Sequence, residues 1–236
     1  MWTQKTDRFV HRVYNREVIG LVIRNAWTVT QCRSFLDACR VLPTQTLSTK
    51  PTPYLRSMLL APTQRHPKGV PLKEYFQHAE QCNPTLQIAQ GDLESLFGSC
   101  VETGAVSLLS NPRPHCIGSI RYFYPTESVP WHFDTYNPSP SFDHLHQYTD
   151  RRLQLSWYIP VQNPQQGGLL RVRSVHREQE QSHHFYTIEL QIGDFVLFDA
   201  SNYQHQITTV HGTQPRITFG GFAALDTKHK ELLYWG

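Results

Sequence analysis

Three side chains have the types and spacing to hold a metal. His132 and Asp134 lie two residues apart in Trp131-His132-Phe133-Asp134-Thr135, so on an extended strand they point to one face. An imidazole and a carboxylate on one face, joined by a distant imidazole such as His205, make the 2-His-1-carboxylate set of non-haem Fe(II) oxygenases. Three protein ligands leave coordination positions open, and an oxygenase needs those for co-substrate and O₂. His-x-Asp alone is weakly specific, because the chain carries 13 His and a second two-apart pair, His144 and His146. Arg216 and Thr218 are also two apart and share a face, with Ile217 and Phe219 on the other. A guanidinium fork grips a carboxylate bidentately, and a threonine hydroxyl adds one donor.

These residues need strands to carry them. Val18 to Ile23 is a β-branched apolar run and reads as a buried strand. Thr28 or Thr30 can cap a helix over Gln31 to Leu42, whose Cys32, Phe35, Leu36, Cys39 and Leu42 recur at helical steps before Pro43. Residues 43–71 read as loop with one turn around Leu55 to Leu60. Two further helices are expected, Leu72 to Cys82 before Asn83-Pro84, and Asp92 to Thr103, opening on an acidic cap. From Ala105 the pattern changes to short strands punctuated by Pro and Gly. They are expected at 106–109, 116–124, 131–136, 153–160, 169–175, 185–190, 194–198, 204–210 and 216–223. Helices followed by many short strands predict a mainly β (α+β) fold, a double-stranded β-helix or jelly roll with supporting N-terminal helices. A single domain is expected over 1–236, with 1–104 mostly helical support and 105–225 the jelly-roll core.

Composition narrows the function classes. The net charge is +3 with no Lys/Arg block, so nothing favours nucleic acid as a partner. No apolar run approaches the ~18–20 residues of a membrane span. The first ten residues lack the apolar centre of a signal peptide. Five cysteines with no Cys-x-x-Cys pair read as reduced core thiols. A soluble, cytoplasmic protein is the expectation.

A second motif group completes the first: Gly193-Asp194, His205, then Pro215-Arg216-Ile217-Thr218-Phe219-Gly220-Gly221. With His132-x-Asp134 and Gly167-Gly168, this order resembles the Fe(II)/2-oxoglutarate-dependent oxygenases, in particular their prolyl-hydroxylase-like branch. The eleven-residue step from His205 to Arg216 fits the spacing of that family, and the pattern covers Ile117 to Phe222. The resemblance implies that His132, Asp134 and His205 ligate iron and that Arg216 and Thr218 hold the distal carboxylate of 2-oxoglutarate. Family members often place a Tyr about nine residues before the first His to donate to the co-substrate. Here position 123 is Phe, between Tyr122 and Tyr124, and Tyr122 is the expected donor. Relatives often carry Thr or an acidic residue after the Gly pair; this chain has Leu169, Leu170 and Arg171. If Arg171 and Arg173 face the mouth, an anionic substrate follows; a solvated strand face is the plain alternative. Tyr136, Trp157, Arg171, His144 and His146 are the substrate-side candidates, the last two in a loop at 137–150 that reads as exposed or as a lid.

The expected activity is that of an Fe(II)/2-oxoglutarate dioxygenase hydroxylating an unactivated C–H bond of a small molecule, with Fe(II), 2-oxoglutarate and O₂ consumed and succinate and CO₂ released. Two alternatives stay open, a hydroxylase of protein or peptide side chains and a jelly roll that binds a ligand without catalysis. Halogenases resembling this family carry Gly or Ala in place of the triad carboxylate. This chain keeps Asp134, so chlorination is not expected.

Overall fold

The computed structural model describes residues 1–42, 72–102, 106–110, 112–134, 143–178 and 184–236, with backbone alone at 72, 74, 143 and 144. The expected turn at Leu55 to Leu60 and the candidate Tyr136 lie outside the described residues, as does the side chain of His144. In chain order the elements are β1 (Trp2–Thr3), α1 (Phe9–Tyr14), β2 (Gly20–Ile23), α2 (Val29–Cys39), α3 (Leu72–Leu86) and α4 (Gln90–Gly98). Then follow β3 (Val106–Leu108), β4 (Ser119–Phe123), β5 (Val129–His132), α5 (Asp143–His146), β6 (Leu155–Gln162), β7 (Gln166–Gly167) and β8 (Leu170–Arg173). The last are β9 (Phe185–Ile188), β10 (Phe195–Asp199), β11 (His205–Ile207), β12 (Val210–His211), β13 (Arg216–Leu225) and β14 (Leu232–Trp235).

Among the described residues, the larger sheet runs β1-β2-β10-β6-β13-β14-β3, with β4 also paired to β13. The smaller sheet is β5-β11-β8-β9, and β7 with β12 forms a ribbon. Helices cover one face of the larger sheet and the smaller sheet packs toward the other, which is the double-stranded β-helix. The helical side is a close-packed apolar core: Phe219 meets Phe35 at 4.6 Å, Trp157 at 5.3 Å and Trp27 at 6.0 Å between ring centres. Between the sheets lie Ile19, Val22, Tyr158, Leu170, Val172, Val196, Phe198 and Ile207. All five cysteines are unpaired and buried, and burial pushes the thiols of Cys39, Cys100 and Cys116 up to about 12, so they pack as inert apolar groups.

Local chemistry explains where the elements start and where expectation missed. Helix α2 begins at a reciprocal cap: the Gln31 N–H donates to Thr28 Oγ1 (3.1 Å) and the Thr28 N–H to Gln31 Oε1 (2.8 Å). Helix α3 does not stop before Asn83-Pro84 but runs through it to Leu86. A proline inside a helix costs about 3 kcal/mol or more, and tertiary contacts offset it. The Asn83 amide donates to His115 O and accepts from the Ile117 N–H, both at 2.9 Å, while Cys82 and Leu86 are fully buried. Helix α4 consequently starts at Gln90, after a 3₁₀ turn at Gln87–Ala89, and Asp92 falls in its first turn rather than at its cap. Strand β14 was not anticipated. Its four residues are all buried between β13 and β3, and a short apolar run without alternation gives no strand signal. No described helix is long and apolar enough to cross a membrane.

Candidate active site

The register of the two sheets decides which side chains meet. On the smaller sheet His205 stands directly opposite both His132 and Val172, so all three share a face. Val172 and Leu170 are buried between the sheets, and that face is therefore the inner one. On the larger sheet Arg216 is opposite Phe123, Thr218 opposite Arg121 and Pro160, Gly220 opposite Tyr158, and Phe222 opposite Ser156. These form the inner row of β13 and its neighbours, because the alternate residues Ile217, Phe219 and Ala223 belong to the helical core.

His132, Asp134 and His205 converge, each offering one ligand atom, with all three atoms within 4.8 Å of one another. Asp134 Oδ1 lies 3.4 Å from His132 Nε2, and Asp134 Oδ2 lies 3.4 Å from His205 Nε2. The imidazoles are oriented from behind: His132 Nδ1 donates to Pro130 O at 2.8 Å and His205 Nδ1 to Tyr203 O at 3.3 Å. A carbonyl oxygen only accepts, so each Nδ1 carries a proton and each ring turns its Nε2 toward the carboxylate. Asp134 is placed by its own N–H donating to Ala200 O (2.9 Å), at the turn between β10 and β11. That turn is shaped by Asp199, which accepts from Ser201 and Asn202. The Ser156 hydroxyl, reaching in from β6, donates to Asp134 Oδ2.

The electrostatics ask for a cation. Burial alone would raise the Asp134 carboxyl, but the charges and hydrogen-bonding nitrogens of His205 and His132 hold it well below the usual range. Burial lowers His205, with Asp134 opposing it. For His132, burial pulls downward and the neighbouring Asp134 outweighs it, raising the group. A carboxylate and two imidazole Nε2 atoms facing one point, with no described thiolate among them, fit Fe(II).

Arg216 lies further along the inner row, 4% exposed, with its guanidinium carbon 5.3 Å from the Phe123 ring centre and 5.0 Å from that of Tyr158. Burial lowers its pKa from the ordinary value, and the only opposing influence is Tyr158. No described carboxylate pairs with it, so a buried cation faces a cavity of about 230 Å³ lined also by Tyr158, Gly168 and Leu170. That cavity fits a carboxylate ligand, since an unpaired buried charge is costly. The Gly167-Gly168 turn belongs to the same design. Gly168 has φ +64°, and a Cβ there would lie 2.8 Å from Arg216 Cδ. Gly193-Asp194 serves the scaffold instead: Asp194 accepts from Asn25 N (3.0 Å), Gln191 N (2.8 Å) and Arg24 Nη1 (2.6 Å), tying β10 to the end of β2.

Several expected site residues face elsewhere. Tyr122 is opposite Ile217 and packs against the helical core, stacked on Tyr124 at 6.4 Å, so it points away from Arg216. Position 123, a Phe, holds the place beside the arginine, and the hydroxyl near Arg216 belongs to Tyr158. That hydroxyl is buried beside the guanidinium, and the two interact. Trp157 likewise turns to the helices, where its Nε1 donates to Phe222 O. Arg171 and Arg173 occupy the outer face of the smaller sheet, over the rings of Phe185 (4.9 Å) and Trp131 (4.6 Å). His146 lines a cavity of about 90 Å³ with Gln154, Arg177, Ser201 and Trp235, close to the turn that holds Asp134. Ser156, Tyr158 and Arg121 are inner-face residues that sequence reasoning missed. Their signal was the side of the strand already occupied by Arg216 and Thr218.

A family model described as carrier-protein-independent halogenase WelO5 matches residues 2–236. A search of the curated proteins found no match. Among solved structures, a novel N-substituted L-amino acid dioxygenase in complex with alpha-KG from Burkholderia ambifaria AMMD is similar at TM-score 0.63 and 16% identity, over 96% of this chain and 90% of that one. A prolyl hydroxylase from Trichoplax adhaerens, in complex with a hypoxia inducible factor peptide fragment, gives 0.55 and 12%, over 95% and 90%. The non-heme alpha ketoglutarate dependent epimerase SnoN from nogalamycin biosynthesis gives 0.57 and 10%, over 92% and 84%. At these identities the likeness is one of fold.

Proposed function

From the premise that this chain belongs to the WelO5 family, and so to the Fe(II)/2-oxoglutarate oxygenases, we propose that it oxidises an unactivated C–H position of a small molecule, by hydroxylation, and does not halogenate it. The observation that carries this reading is Asp134. It stands between His132 and His205 with an oxygen 3.4 Å from each Nε2, where a halogenase has Gly or Ala and leaves room for chloride. The family's name therefore describes a reaction for which this chain lacks the vacancy.

In this reading His132, Asp134 and His205 hold the iron. Arg216 grips the distal carboxylate of 2-oxoglutarate, with Thr218 in the same row and the Tyr158 hydroxyl as a further donor in place of Tyr122. When bound, iron with 2-oxoglutarate and O₂ supplies an oxidant strong enough for an unactivated C–H bond, with release of succinate and CO₂. The residues of this chain bind, orient and exclude water. Phe198 stands 5.1 Å from the His205 ring and Phe123 covers Arg216, so the two polar groups sit behind apolar walls.

The test is a screen of amino acids and other metabolites for substrate-dependent succinate release, followed by mass spectrometry of products formed in high chloride. An oxygenated or dehydrogenated product is expected. A chlorinated product from the unaltered enzyme would remove Asp134 from the ligand set.

A further inference from the structure

Asp134 presents both carboxylate oxygens to the ligand histidines at the same distance, Oδ1 to His132 Nε2 and Oδ2 to His205 Nε2, each 3.4 Å. An ion held on the two Nε2 atoms could take either oxygen, or both. The Asp134 N–H is held on Ala200 O, and rotation of the carboxylate decides which oxygen faces the ion. One hydroxyl breaks the symmetry. Ser156, 4% exposed on β6, donates to Oδ2, and no described hydroxyl or backbone N–H donates to Oδ1. Its strand position is secured on both sides, opposite Phe198 and Phe222.

We infer that Ser156 is a positioning residue that holds Asp134 to one coordinating oxygen, Oδ1, and thereby keeps the adjacent coordination position for the chelating end of 2-oxoglutarate. The inference deepens the functional reading above and rests on it. Its physical basis is that a proton on Oδ2 occupies one lone pair and sets the plane of the carboxylate. Without that proton the carboxylate is free to close on the metal through both oxygens. The second oxygen then competes for a place the co-substrate must enter. In this role Ser156 acts through Asp134.

The test uses binding rather than turnover. Fe(II) and then 2-oxoglutarate are titrated anaerobically, without substrate, into the unaltered protein, Ser156→Ala and Ser156→Thr, following the visible charge-transfer band of the ternary complex and the thermal midpoint of the metal-free protein. Ser156→Ala is expected to keep its midpoint and hold Fe(II) within about three-fold, while its affinity for 2-oxoglutarate falls about ten-fold or more, the size of one charge-assisted hydrogen bond. Ser156→Thr, which retains the hydroxyl, restores it. Equal 2-oxoglutarate affinity in the alanine variant, or iron and 2-oxoglutarate affinities falling in parallel, would overturn the role of Ser156. Absence of the band in the unaltered protein would instead overturn the metal and co-substrate reading on which it stands.

Discussion

Strands β6 and β13 show two surfaces built from alternate residues of the same chain segments. One face carries Trp157, Ile159, Phe219 and Ala223, all apolar, packed on Phe35, Phe97 and Trp27 of the helical layer. The other carries Ser156, Tyr158, Arg216 and Thr218, equally buried but polar, with a guanidinium that meets no described carboxylate. A folded protein rarely leaves buried polar groups unsatisfied unless something binds there. The apolar face is closed by side-chain packing, whereas the polar face holds a buried cation with no described counter-charge. Stability and chemistry are thus divided by a single residue step.

Substitutions can break that division or sharpen it. The largest effect is expected on the ligand face: His205→Ala removes a ligand and should abolish succinate formation and weaken iron binding, with the metal-free thermal midpoint little changed. Near-native turnover by this variant would move the third ligand elsewhere. On the opposite face, Phe219→Ala leaves a cavity among three rings and should cost about 3–5 kcal/mol of unfolding free energy, read by denaturant titration. Turnover per folded molecule should persist, and its selective loss would show that the two faces are not independent.

Arg216→Lys exchanges a planar fork for a point charge. Loss of a charge-assisted hydrogen bond of ~1.5–3 kcal/mol means about 10- to 150-fold in KM for 2-oxoglutarate. An unchanged KM at an unchanged thermal midpoint would take Arg216 out of co-substrate binding. The smallest effect is expected at two tyrosines. Tyr158→Phe should weaken 2-oxoglutarate binding about 2- to 12-fold, the worth of one neutral hydrogen bond of ~0.5–1.5 kcal/mol. Tyr122→Phe, on the helical face, should leave it unaltered; the reverse ranking would mean that the inner face has been assigned the wrong way round.

The amino-acid sequence by itself made two candidate pairs legible. His-x-Asp and Arg-x-Thr are two-residue steps, and the alternation of a strand places each pair on one face whatever the strand packs against. The capped start of α2 was equally local, written in Thr28 and Gln31. Which face looks inward was decided only by the tertiary structure. Residues Leu155 to Val161 of β6 are buried on both sides, so its burial shows no alternation that could separate Trp157 from Ser156 and Tyr158. Tyr122 and Phe123 differ by one position, and the choice between them was made by the pairing of β4 with β13, which sets Phe123 opposite Arg216. Arg171 was turned outward in the same manner, by Val172 standing opposite His205. The helix through Pro84 and the buried strand Leu232–Trp235 also depend on partners remote in sequence. A one-residue shift of register reverses every side chain on a strand, and register is fixed by long-range pairing that no local spacing encodes.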